Sequence, residues 1–302
     1  DDDMAIAPDG TLYLALASAG RVLAVAPDGT QRDVEGPAEG FDVPGGVQVG
    51  ADGTLYVCDV GTSRVWSRAA GGAWRAVAGL DGGGQSGEGG AYALNTPLAL
   101  AFEPDGDLLI VENGRHRIQR LAGGRLEVVA GGSKGESPDG TPALEAAFFG
   151  PAGIAVRDGA ITLADSNNFR LSRLGPDGLV RILAGPGAPN EGPVLREAMV
   201  DQPLTLVLDP AGRPVWLARD RAQVYRMPAP GQAELLAGVE QDDSGGGSFG
   251  AAVADVLTEG QPPREATFRF PLGLAFDAAG DLYVADAGHM QIRKAAGLAG
   301  AA

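Results

Sequence analysis

Acids that close apolar runs are the residues of this chain whose type and spacing could do chemistry. "LYVCDVGTSRVWS" from Leu55, "LLIVENGRHRIQR" from Leu108, "ITLADSNNFRLSR" from Ile161 and "LYVADAGHMQIRK" from Leu282 share one plan. An apolar run ends in Asp59, Glu112, Asp165 or Asp286, a short loop follows, and a second apolar run begins. Asn113, Asn167 and Asn168 stand beside these acids. Oxygen ligands of this kind suit hard cations, so a metal held by Asp59, Glu112, Asp165 and Asp286 would be Ca²⁺ or Mg²⁺. His116 and His289 fall in the same loops and are candidate general bases. Neither has a serine or cysteine neighbour from which a triad could be read. The pairs Asp59/Arg64, Glu112/Arg117 and Asp165/Arg170 are spaced to meet as neighbours on adjacent strands of a hairpin.

A chemical site is usually built once, and this pattern recurs. Alignment on the second run puts Arg21, Arg64, Arg117, Arg170, Gln223 and Gln291 at one position, and Leu16, Asp59, Glu112, Asp165, Ala218 and Asp286 five residues earlier. The fifth unit loses acid and arginine together, as expected of one structural device that also accepts bonds from its own loop's backbone. Around Gly153 a unit holds four strand-like runs, "GIAV", "AITLAD", "RLSRL" and "LVRILAG", joined at Asp-Gly turns. The runs are almost continuously apolar, which predicts four-stranded sheets packed on both faces around an axis. The expected fold is a single-domain all-β six-bladed propeller, with blades at about 1–36, 44–79, 97–131, 151–185, 203–238 and 271–302. "AAGLAGAA" at the end is short for a turn plus an outer strand, so the sixth blade is expected to be incomplete. Its open edge would invite self-assembly.

Composition narrows the partners. A formal charge of −16 repels phosphate backbones, which argues against nucleic acid and anionic lipid. No apolar run approaches the ~20 residues needed to cross a bilayer, so no membrane insertion is expected. Cys58 is the single cysteine and reads as a small buried hydrophobe.

"PAGIAV…ITLADSNNFRL" (Pro151 to Leu171) and "PLGLAF…LYVADAGHMQI" (Pro271 to Ile292) resemble NHL repeats. The joins "SGEGGAYALNTP", "SPDGTPALEAAFFGP" and "REATFRFP" resemble the glycine-rich connectors of bacterial NHL proteins. The resemblance implies a propeller that chiefly binds other molecules, a protein or peptide foremost. It also implies an exported chain, extracellular, periplasmic or on the cell surface. Lactonases of the gluconolactonase type, which share the architecture, hold a divalent ion on the axis, so the alternative expectation is a metal-dependent hydrolase. The three-histidine zinc site of amidating lyases is impossible with two histidines.

Joins between units run 7, 17, 19, 17 and 32 residues, while the units themselves keep nearly one length. In an antiparallel blade these joins emerge on the same face as the acid-bearing loops, and variable loops on a rigid scaffold are where binding usually resides. The expected recognition surface comprises Glu112, Asn113, His116, Asn167 and His289, with Asp242, Asp243, Phe249, Asp255 and Glu259 from the longest join. Glu145-Ala146-Ala147-Phe148 and its counterparts predict a helical turn whose apolar residue plugs the blade top.

Overall fold

The computed structural model describes residues 3–79, 87–88, 93–188, 200–229, 231–239, 262–289 and 291–298. Six antiparallel sheets follow one another along the chain. Their innermost strands, a, are Asp3–Ile6, Pro44–Val49, Pro97–Phe102, Pro151–Arg157, Pro203–Leu208 and Pro271–Phe276. Strands b are Leu12–Leu16, Leu55–Asp59, Leu108–Glu112, Ala160–Asp165, Pro214–Ala218 and Leu282–Asp286. Strands c are Arg21–Val25, Arg64–Arg68, Arg117–Ala122, Arg170–Leu174, Gln223–Arg226 and Gln291–Ala295. Blades one to five add an outer strand d: Gln31–Val34, Arg75–Ala78, Arg125–Gly131, Leu179–Ala184 and Glu234–Ala237. The sixth sheet has three strands among the described residues.

The turns follow from local chemistry. Asp9, Asp28 and Asp52 each accept, at 2.9 Å, the N–H of a threonine two residues on, and the glycine between supplies the positive φ. On the opposite face the b strands of blades one and three to six run into a 3₁₀ turn before strand c, and that of blade two into a turn closed by Ser63 N–H on the Val60 carbonyl.

Strands a stand side by side around the axis, each blade's beside the next, and that of blade one beside that of blade six. The ring of blades is closed. At each of the six seams a separate apolar cluster fills the gap. This is why the b strands lack alternation: every residue of Leu108–Glu112 and Ala160–Asp165 is buried, one face against each neighbouring blade. Two glycines permit the close approach of inner strands. A Cβ at Gly46 would stand 2.4 Å from the Leu98 carbonyl oxygen, and one at Gly153 would stand 2.5 Å from that of Leu204. Cys58 is buried at the seam of blades two and three, where burial pushes its thiol well above the ordinary range.

The connector turn differs in detail from its sequence expectation. The 3₁₀ turn of the third connector is Ala143–Glu145, and Phe148 lies beyond it in a two-residue strand pairing with Ser133–Lys134. Phe148 is nevertheless the buried plug, as are Leu94 and Val200 in their own connectors.

Candidate functional site

Strand b of each blade delivers its acid to the connector face, and there the acids act as latches. Asp59 accepts the N–H groups of Val43 at 2.8 Å and Asp42 at 3.2 Å. Glu112 accepts Asn95 N–H at 2.7 Å, Asp165 accepts Phe149 N–H at 2.8 Å, and Asp286 accepts Arg269 N–H at 2.8 Å. In each case the donor lies within two residues of the proline that starts strand a of the same blade. The acid therefore fixes where the connector turns down into the sheet. Second oxygens are engaged too: Asp59 by Thr62 at 2.8 Å, Glu112 by Arg117 at 2.5 Å and Gln119 at 2.7 Å, Asp165 by Asn168 at 2.8 Å, and Asp286 by His289 at 2.8 Å.

This geometry does not fit an axial Ca²⁺ or Mg²⁺. All four acids are buried with both oxygens already accepting protein donors. Among the described residues no three of these acids bring ligand atoms within 4.8 Å of one another; the group that does is Glu103, Asp105 and Asp107, on the a–b hairpin turn of blade three, at the face opposite the connectors. The axis itself holds a cavity of about 60 Å³, lined by Asp3, Gln48 and Thr205 and by apolar residues including Leu98, Leu204 and Leu272. Pockets for organic ligands run to about 300–1,000 Å³. Asp3 is spent on the seam of blades one and two, accepting Met4 N–H at 2.8 Å and, across that seam, Val47 N–H at 3.2 Å. Burial raises its pKa to about 6.

The arginines follow the sequence expectation in register but only partly in contact. Asp59, Glu112 and Asp165 sit opposite Arg64, Arg117 and Arg170. Glu112, one methylene longer, bonds its arginine directly. Arg64 instead reaches Glu39 at 3.1 Å and Arg170 reaches Glu136 at 2.8 Å, both on connectors.

The sequence-predicted binding residues separate into different roles. Asn113 donates to the Pro151 carbonyl at 2.9 Å, stapling blade three to blade four. His116 accepts Gly150 N–H on Nδ1 at 3.2 Å, which leaves the ring proton on Nε2. Burial, then the Lys134 charge, holds its pKa below the ordinary value. His289 is bound to its latch acid and is not the equivalent of His116. Asn167 is exposed on the face. Asp242, Asp243, Phe249, Asp255 and Glu259 lie outside the described residues.

A different set is exposed where a partner would land. The exposed large apolar side chains among the described residues are Leu144 (67%), Phe270 (49%), Val239 (42%) and Phe169 (38%). Phe169, Val239 and Phe270 stand on the connector face, within or between blades four to six: Phe169 in a b–c loop, the others on the fifth connector. Leu144 lies apart on the third connector, next to Ala143, whose N–H reaches the Gly178 carbonyl of the c–d turn on the opposite side. Exposed Arg219, Arg264 and Arg269 accompany the three on the connector face in a chain that is acidic as a whole. Phe169 and Phe270 hold φ of 54° and 52°, a left-handed backbone that bulky residues rarely adopt. Glycine holds the matching places in other blades, Gly20 and Gly150. Sequence reasoning on acids missed these aromatics. The signal was there, a phenylalanine aligned with a turn glycine, but its meaning depends on the backbone.

Residues 268–295 match the NHL repeat. No curated protein sequence matches the chain. Among solved structures, virginiamycin B lyase from Staphylococcus aureus is similar at 14% identity, covering 97% of this chain and 79% of that one, with a TM-score of 0.59. A gluconolactonase from Xanthomonas campestris is similar at 16% identity over 94% of this chain and 82% of that one, TM-score 0.62. A chain of the nidogen/laminin complex is similar at 15% identity over 94% and 88%, TM-score 0.61. At such identities the likeness is one of fold.

Proposed function

We propose that this NHL-repeat propeller is a non-catalytic binding module that takes a protein or peptide partner on its connector face. One observation carries the reading: three of the four exposed large apolar side chains among the described residues, Phe169, Val239 and Phe270, gather on that face, two of them on strained backbone. A strained aromatic that points into solvent is a cost to folding, which a role in contact would explain. Phe169, Val239 and Phe270 supply the apolar contact, and Arg219, Arg264 and Arg269 the polar rim around it. A chain of similar fold occurs in the nidogen/laminin complex, and this supports a protein partner as the class.

The competing reading, a Ca²⁺- or Mg²⁺-dependent hydrolase, has the gluconolactonase likeness behind it. Against it stand the four latched acids and the small axial cavity. A photo-crosslinking residue at position 239, compared with one at position 105 on the opposite face, separates the readings. Incubated with the exported and surface proteins of its source, the protein should give adducts from 239 and none from 105. Equal adducts from both positions, or turnover of a sugar lactone that requires Ca²⁺ or Mg²⁺, would overturn the proposal.

A further inference from the structure

The connector end that enters blade four is unlike its counterparts. Thr96, Gln202 and Phe270 each precede the first proline of a strand a on left-handed backbone, and each carries a side chain. Gly150 holds that place before Pro151, with φ of 60°. Without a Cβ there, the Asn167 amide lies down on the connector: a Cβ at Gly150 would stand 2.3 Å from Asn167 Nδ2. Asn167 is fixed in turn by its own N–H, which reaches the Phe149 carbonyl at 3.0 Å. His116 arrives from blade three, its Nδ1 accepting Gly150 N–H at 3.2 Å and its ring edge to face with Phe149 at 5.9 Å between centroids. Lys134 Nζ stands 4.2 Å from the centroid of that phenylalanine.

Spare donors gather on this Phe149–Gly150 step. Because Nδ1 of His116 accepts, Nε2 carries the ring proton. Among the described residues no protein acceptor meets that Nε2–H or the Asn167 amide, and no acid pairs with Lys134. The chain's other lysine, Lys294, is bound by Asp277 and Asp281. Acids near the step are already committed: Glu112 to Arg115 and Arg117, Glu136 to Arg170, and Asp165 to Phe149 N–H and the Asn168 amide. In a chain of formal charge −16, one cation and two neutral donors thus stand together with no acid of their own.

We infer that Lys134, His116 and Asn167 form a carboxylate-binding notch at the seam of blades three and four. One full positive charge with neutral N–H donors matches a monoanion. A phosphate group, closer to two negative charges, would keep much of its charge uncompensated. The notch opens on the connector face, and Asn167 shares its loop with exposed Phe169. A carboxylate held here therefore belongs to a peptide whose apolar residues reach that ring, its charge fixing the register in which they land. That identity of the ligand rests on the peptide-partner reading; the carboxylate site itself does not.

Imidazole NMR tests the notch on the whole protein, since the chain has two histidines and His289, held by Asp286, serves as internal control. The probes are N-acetylphenylalanine, with an α-carboxylate, N-acetylglutamate α-amide, with a side-chain carboxylate, and N-acetylphenylalanine amide, with none. Both acids should shift the His116 signals saturably and raise its titration midpoint, because an adjacent anion favours the imidazolium. Lys134, whose charge pushes that midpoint down in the free protein, should act against them less once paired. The amide should do neither, and His289 should not move. Lys134→Gln, at an exposed position, should weaken both acids about two- to fivefold, the range of one exposed ion pair, and Lys134→Arg should restore most of the loss. Whichever acid binds more tightly supports the notch and names its source, a chain terminus or an acidic side chain. Inorganic phosphate binding more tightly than either acid would overturn the class. His116 signals unmoved by tens of millimolar acid, or moved equally by the amide or in Lys134→Gln, would overturn the site. A successful titration beside failed crosslinking at position 239 would remove the peptide reading and keep the notch; the reverse would remove the notch alone.

Discussion

At the scale of single residues, the acids and the aromatics exchange the roles their types suggest. Asp165 looks like a ligand, yet its oxygens hold Phe149 N–H and the Asn168 amide inside a buried latch. Burial raises its pKa from 3.8 to about 6, against the lowering effect of those bonds and of Arg170. Between these two values the folded chain keeps a proton that the unfolded chain has released. Stability from this group therefore falls as pH rises through that window and is level above it. A carbon-detected titration should place the Asp165 midpoint near 6, and a midpoint near 3.8 would show that hydrogen bonding outweighs burial. Phe169 and Phe270 show the opposite balance, apolar groups held in solvent on left-handed backbone. Glycine relieves about 1–2 kcal/mol of such strain while costing about 0.5–1 kcal/mol in chain entropy. Phe169→Gly and Phe270→Gly should accordingly leave urea stability unchanged or raised by up to about 1 kcal/mol. The same variants should weaken any partner captured through position 239, and a large loss of stability would instead make the rings structural.

At the scale of elements, the recurring unit is a blade plus the latch that fastens its entering connector. The latch acid does for the connector what a capping residue does for a helix end, satisfying backbone N–H groups that the sheet leaves over. Asp286→Ala should strand the buried Arg269 N–H and cost about 1–3 kcal/mol in urea unfolding. Asp286→Asn keeps an acceptor and should cost less. Equal costs for the two would mean that the charge, held by His289 and Arg293, matters more than the backbone bond.

At the scale of the whole molecule, ring closure rests on packing. Among the described residues no strand of blade one hydrogen-bonds to blade six; Met4, Leu12 and Leu14 simply pack on Ala275 and Ala285. This seam is the place where the ring should open first. Met4→Ala should cost about 2–5 kcal/mol, the range for a large-to-small change in a core. Native-state hydrogen exchange should then show blades one and six losing protection ahead of blades three and four. Uniform loss around the ring would show that closure is no weaker than the other seams.

The sequence by itself determined the blades. Recurrence of an acid, a loop and an apolar run sets the number of units, and Asp-Gly turns with unbroken apolar runs predict sheets covered on both faces. It also determined that Asp59, Glu112, Asp165 and Asp286 share a face, because strand direction follows from antiparallel connection. What those acids do there was open, since a metal ligand and a backbone latch call for the same carboxylate at the end of the same strand. Only the tertiary structure decided it, by carrying the connector's N–H groups, distant in the chain, onto both oxygens. The same holds for Phe169 and Phe270, whose exposure depends on left-handed φ and on which neighbours fail to cover them. Ile292 is the third case: in sequence it matches its buried counterparts, and it is half-buried where no strand among the described residues covers its outer side.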